Sequence, residues 1–188
     1  MQSVYELCPQ LENEDYLLRL LEKKDIDDLL KVYSDEEAIK YFNSDNCEGD
    51  DFHYTTRERM EKQVEYWLYE YSRCGFVRWT IVDKHTQEAI GTVELFHREA
   101  EDYFTDCGIL RLDLRSDYEK ENSIYRILST VVRPAFIMFH CNKIAIKAIP
   151  SAKQRITAIQ RLVFHYSPMK VIGHGGEEYG DYYILDKE

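Results

Sequence analysis

LRLDLRSDYEKENSIYRIL, residues 110–128, contains the change of period on which the fold turns. Leu110, Leu112 and Leu114 alternate with Arg111 and Asp113, the two-residue period of a strand with one apolar face. Ile124, Ile127, Leu128, Val131 and Val132 then recur at helical spacing. A strand that runs through a short charged turn into a helix leaves first-turn amides without partners inside the helix, and such amides attract anions. The stretch therefore predicts a strand, a turn and a helix, with a phosphate cradle at the turn.

The flanking segments read as a mixed α/β chain. Upstream, Phe76–Val82 and Glu88–Phe96 are joined by the polar turn DKHTQ and lead into Cys107–Leu114, a three-strand meander. Downstream, a helix over Ser123–His140 contains Pro134, which is expected to kink it or end its regular part. Lys143–Ile149 alternates as a strand. Ser151–Phe164 follows as a helix with Ile156, Ile159, Leu162 and Val163 inward, and with Lys153, Arg155 and Arg161 supplying positive charge. Met169–Ile172 and Asp181–Leu185 are two short strands around HGGEEYG, which reads as a hairpin connection because no helix start follows it.

Nearer the N-terminus, residues 1–16 read as a loose polar arm or a short added turn, Tyr16–Leu21 as a first strand and Glu22–Tyr33 as a helix. A short helical piece, Asp35–Phe42, leads into NSDNCEGDDFHY, a solvated loop that lacks the alternating oxygen ligands and distal Glu of a calcium loop. Thr56–Arg73 is the longest helix, with Met60, Val64, Trp67, Leu68 and Tyr71 on one stripe. No repeat or interdomain linker interrupts residues 1–188, so one domain is expected.

The chain has 24 Lys and Arg against 35 Asp and Glu, a net charge of −11 that argues against nucleic acid or an anionic membrane and favours basic or neutral partners. Its five cysteines are widely spaced without a C-x-x-C pair, so reduced thiols, no zinc site and a cytoplasmic setting are expected. MQSVYELCPQLENED has neither a basic start nor an apolar run.

Four pieces together, LLRLLEKKDIDDLLKVYSDEEAIKYF, TIVDKHTQEAIGTVELF, LDLRSDYEKENSIYRIL and KIAIKAIPSAKQRITAIQRLVF, resemble the GNAT superfamily of N-acetyltransferases, nearest its ribosomal-protein N-terminal acetyltransferase branch. The resemblance implies a mixed, splayed, mostly antiparallel sheet flanked by helices on both faces. It also implies acetyl-CoA as co-substrate, with its pantetheine arm on the backbone of Leu112 and Leu114. The pyrophosphate would lie at the turn Glu119, Lys120, Glu121, Asn122, Ser123 and Ile124. Lys153 and Arg155 are positioned in sequence to meet a phosphate. The acceptor would be an amine of a protein N-terminus or a small molecule.

The family's turn reads Arg or Gln, two variable residues, Gly, one variable residue, then Gly or Ala; Glu119, Asn122 and Ile124 stand at those places. Two glutamates beside a pyrophosphate cost on the order of 1 kcal/mol each at exposed distances. Beyond Pro150 the family's Asn, Ser or Ala, Tyr and Gly are replaced by Ala152, Arg155, Ile159 and Val163. Glu94 is the candidate general base and Tyr166 the candidate proton donor to the thiolate. Asp113 and Arg111 share a strand face and suit a cross-strand charge pair. Two functions follow: acetyl transfer to an amine, or a catalytically inactive domain of this fold that binds a ligand or protein. A homodimer built through the tyrosine-bearing helix is a further possibility.

Overall fold

The computed structural model describes residues 3–187. Its strands are β1 (Leu11–Glu12), β2 (Tyr16–Leu20), β3 (Val77–Asp83), β4 (Ala89–Arg98), β5 (Cys107–Leu114), β6 (Lys143–Lys147), β7 (His165–Tyr166), β8 (Val171–Ile172), β9 (Glu178–Tyr179) and β10 (Tyr182–Asp186). Its α-helices are α1 (Ile26–Tyr33), α2 (Glu36–Ile39), α3 (Arg57–Ser72), α4 (Glu121–Met138) and α5 (Lys153–Arg161). Eight strands form one sheet in the order β1-β2-β3-β4-β5-β6-β10-β7, while β8 and β9 form a separate hairpin across the HGGEEYG segment. Within the large sheet every pairing is antiparallel except β5 with β6. The sheet is mixed and mostly antiparallel, as expected.

Side-chain parity assigns its two faces. Trp79, Val93, Leu95, Leu110, Leu112 and Leu114 pack with the apolar stripe of α4 (Ile124, Ile127, Leu128, Val131) and with Ala158 and Ile159 of α5. The opposite face meets α1 and α3, where Leu29, Tyr33, Met60, Val64 and Trp67 form a second cluster. The helices thus lie on both sides. On that second face β3, β4 and β5 present Arg78, Thr80, Thr92, Glu94, Arg111 and Asp113, all polar and nearly all buried.

Three expectations need correction. The N-terminal segment is not loose: Leu11 and Glu12 pair with β2, Val4 is buried, and the Trp79 indole donates to the Pro9 carbonyl at 3.0 Å. Burying apolar side chains and satisfying a backbone carbonyl outweigh the local polarity that suggested an arm. Of the two outcomes expected at Pro134, an end to the helix does not occur: α4 continues to Met138 with Ala135 and Phe136 in the core, and tertiary packing offsets the one ladder bond the proline cannot make. The loop after α2 is not simply solvated. Asp45 accepts from Lys147 of β6 at 2.7 and 2.8 Å and from the Tyr182 hydroxyl at 3.0 Å, so the loop is fastened across the sheet. Among the described residues no helix is long and apolar enough to cross a membrane.

Gly91 faces the end of β5 so closely that a Cβ would lie 2.1 Å from the Asp113 carbonyl oxygen. Backbone cannot retreat as a flexible side chain can, so Gly91→Ala should cost about 1–3 kcal/mol, read as a lower urea midpoint at unchanged slope.

Candidate functional site

β6 pairs with β5 only from Cys107↔Lys143 to Leu110↔Ile146, after which β5 continues against β4 alone. The sheet therefore splays beyond Leu110. Arg115 donates its backbone N–H to Ile90 on β4, so by strand alternation Leu112 and Leu114 turn their polar groups toward the opening. This is where a pantetheine arm would have to lie.

In this protein the place is filled from within. Arg155, in the first turn of α5, is 1% exposed and reaches into the opening. Its Nη1 donates to the Leu112 carbonyl at 2.9 Å and the Tyr41 carbonyl at 3.0 Å. Nε and Nη2 donate to the two oxygens of Glu119 at 2.8 and 2.7 Å, a two-point fork. Burial opposes the charge of Arg155, but Glu119 prevails and keeps its pKa raised.

The phosphate end is committed as well. The Glu121 N–H, first in α4, donates to Gln154 Oε1 at 2.9 Å, and Arg161 binds Glu121 and Asn122 at 2.7 and 2.9 Å. Ile124 points into the core, so it does not obstruct the amides as a branched side chain at that position would suggest. Lys120 caps α4 without a side-chain hydrogen bond, Ser123 lies in its first turn, and Lys153 borders a small pocket of about 230 Å³ beside Glu119. Acetyl-CoA does not fit this side-chain arrangement: the Arg155 guanidinium occupies the arm's place, and Glu119 and Glu121 stand at the phosphates' place.

On the α1/α3 face, register places Arg78, Glu94 and Arg111 directly opposite one another across three strands. Glu94 is bound on one oxygen by Arg78 and on the other by Arg111 at 2.8 Å. Burial raises the Glu94 pKa, but Arg78 and then Arg111 outweigh it and hold the carboxyl below the usual glutamate range. A carboxylate so held is a weak proton acceptor. Arg78 also donates to Asp113 Oδ2 at 2.9 Å, and the Tyr33 hydroxyl donates to the same oxygen at 2.7 Å. The Arg78 guanidinium stacks 4.0 Å from the Trp67 ring centre. Burial, with the charge of Glu94 adding to it, pushes the Asp113 carboxyl up against the pull of Arg78 and Tyr33. Arg111 and Asp113, which share this face, thus pair through Glu94 and Arg78 and not with each other.

Above this row opens a cavity of about 880 Å³, bounded by the loop 45–52, α3, the segment 98–102 and the β8–β9 hairpin. Its lining arginines are engaged: Arg78 and Arg111 as described, and Arg98 by both oxygens of Asp102 at 2.5 and 2.7 Å. Glu48 and Glu101 at its edge have no ion-pair partner among the described residues, and Glu99 lies 3.9 Å from His97. Tyr166, by contrast, is 52% exposed on β7, separated from β5 by β10 and β6, and lines neither cavity. Among the described residues no three metal-ligating side chains come together.

The structure thus brings Leu112, Glu119 and Arg155 into one cleft and Glu94 to the cavity floor. Sequence reasoning passed over Arg78, Tyr33, Asp45 and Lys147. Arg78 left a signal, a charge inside FVRWTIV at the parity shared with Thr80.

A family model described as the acetyltransferase (GNAT) domain matches residues 15–165. No curated protein matches the chain in sequence. A ribosomal L7/L12 alpha-N-protein acetyltransferase solved with coenzyme A superposes at a TM-score of 0.70 and 13% identity, covering 95% of this chain and 98% of its own. The ribosomal-protein-S5-alanine acetyltransferase of Vibrio fischeri gives 0.66 at 16% identity over 95% and 96% of the two chains. A GNAT-family acetyltransferase of Bacillus anthracis gives 0.68 at 15% identity over 95% and 98%. At these identities the likeness is one of fold.

Glu94→Gln leaves two buried guanidinium groups short of a counter-charge and should cost about 3–5 kcal/mol at neutral pH. Because the folded-state pKa is lowered, the wild-type advantage is complete above the unfolded value and shrinks as pH falls through the folded one. Urea unfolding of both proteins between neutral and strongly acidic pH should show the gap closing.

Proposed function

This chain belongs to the GNAT acetyltransferase family, and on that premise we propose that it acts as a binding domain for a cationic organic ligand and not as an acetyl-CoA-dependent transferase. The observation that carries the reading is Arg155, whose guanidinium takes the Leu112 carbonyl and is forked onto Glu119. Apart from the cleft, a cavity of about 880 Å³ is open to a ligand. Its chemistry favours an ammonium or guanidinium group. Glu48 and Glu101 present negative charge without internal compensation, the arginines beneath are already neutralised, and the chain as a whole carries −11. A cation about 4 Å from one such carboxylate gains about 1 kcal/mol in water and more near a protein surface.

Amine acetylation is the second reading, favoured by the family match and by the coenzyme A complex of the L7/L12 acetyltransferase. Glu94 as base and Tyr166 as acid support it poorly: the first is pinned between two arginines and the second is exposed and lines neither cavity.

Titration calorimetry separates the two. Spermidine should bind at low salt, Glu48→Gln and Glu101→Gln should each weaken it by about fivefold, and added salt should weaken it further. Acetyl-CoA and CoA should give no heat up to about 1 mM, a range that covers Kd values corresponding to about −4 kcal/mol. Appearance of acetylated spermidine in the presence of acetyl-CoA would overturn the reading.

A further inference from the structure

We infer that Arg155 is a built-in occupant of the cofactor cleft, that Glu119 holds it there, and that this side-chain pair, not the backbone, is what keeps a CoA thioester out. The inference goes beyond the cavity and rests on the reading that the native cleft is shut.

Once β6 leaves β5 after Leu110, the Leu112 carbonyl faces an opening with no strand to bond it. A buried carbonyl left unbonded costs about 1–3 kcal/mol, so a donor must come from protein, solvent or ligand. An amide-bearing arm would supply one N–H to each such carbonyl. Arg155 supplies the equivalent from the side: of its five N–H groups, one bonds Leu112, one bonds Tyr41 and two bond Glu119.

Charge makes the occupant hard to replace. From cavity to cleft the buried groups alternate in sign: Arg111, Glu94, Arg78, Asp113, Arg155, Glu119. The first four are joined by hydrogen bonds, the last two by the fork, and Asp113 acts on Arg155 through its field. Asp113 is bonded by Arg78 and Tyr33 through Oδ2 while its Oδ1 is buried without a hydrogen-bond partner, so Arg155 nearby adds to the compensation that Arg78 supplies. Removing Arg155 alone would leave Glu119 at the turn without its counter-charge, facing any incoming phosphate. Removing Glu119 alone would free the fork but leave the guanidinium on its carbonyls.

The backbone needed by an acyl-CoA persists around the pair. β5 is splayed and α4 starts directly after the turn. The contact of Gln154 with the Glu121 amide is a single exposed side-chain bond that a ligand can displace.

The test is the double variant Glu119→Gln with Arg155→Ser, titrated with CoA and acetyl-CoA beside the wild type, with thermal unfolding to verify that it folds. CoA should bind the double variant at least about tenfold more tightly than the wild type, a gain of about 1.4 kcal/mol. A folded double variant that stays silent to about 1 mM, the −4 kcal/mol limit, would place the block in the backbone and overturn the inference alone. Equal, measurable CoA binding by wild type and variant would overturn both it and the binding-domain reading. Should that double variant fail to fold, Glu119→Gln with Arg155→Gln, which keeps a donor near the Leu112 carbonyl but removes the guanidinium, carries the test: it should raise CoA affinity, and unchanged silence overturns the inference.

Discussion

The divergence of β5 from β6 after the Leu110↔Ile146 pair is the constraint to which the rest of the molecule answers. A strand interior that loses its neighbour exposes polar backbone in a place from which water is largely excluded, and each unpaired group must find a partner. That work falls to protein, solvent or a ligand. Here it is done by a side chain from α5, and a cation so deeply buried requires a counter-ion, which Glu119 provides. The identities of residues 119 and 155 are thus coupled by electrostatics: a glutamate at the turn is unfavourable for pyrophosphate but favourable for a buried guanidinium 2.7 Å away.

The polar row on the other face obeys the same accounting. Arg78, Glu94, Arg111 and Asp113 lie in the middle of a sheet and under two helices, where lone charges would be prohibitive. They are tolerated because register sets opposite charges side by side across β3, β4 and β5, and because Trp67 covers the face of Arg78. Such a row adds little net stability compared with apolar packing, since desolvation offsets much of the attraction. Its consequence is positional: the cavity floor is rigid and charge-balanced, while its edge keeps free carboxylates.

The period change at Leu114 to Ile124, the meander turns and the stripe of α3 were all legible, because each is set by neighbours within a few residues and by which face must be apolar. The departures at Glu119 and Arg155 were legible too, as losses from a motif. What they gained was not. Glu119 and Arg155 lie 36 residues apart, and nothing local in either segment says that one will grip the other. Glu94 shows the same limit: its parity places it off the apolar face, but only the register of three strands puts an arginine on each of its oxygens.

By itself the sequence determined the order of the principal strands and helices and the charge of the EKENSI turn, while the mixed splayed sheet and the turn's unsuitability for a pyrophosphate came from the family resemblance it carries. Periodicity, turn chemistry and charge are properties of short windows, which is why these could be read. Only the tertiary structure decided what stands in the cleft and what charge remains at the cavity edge. Both depend on which distant side chains neutralise one another, and pairing of that kind is fixed by how strands and helices pack, not by their spacing along the chain.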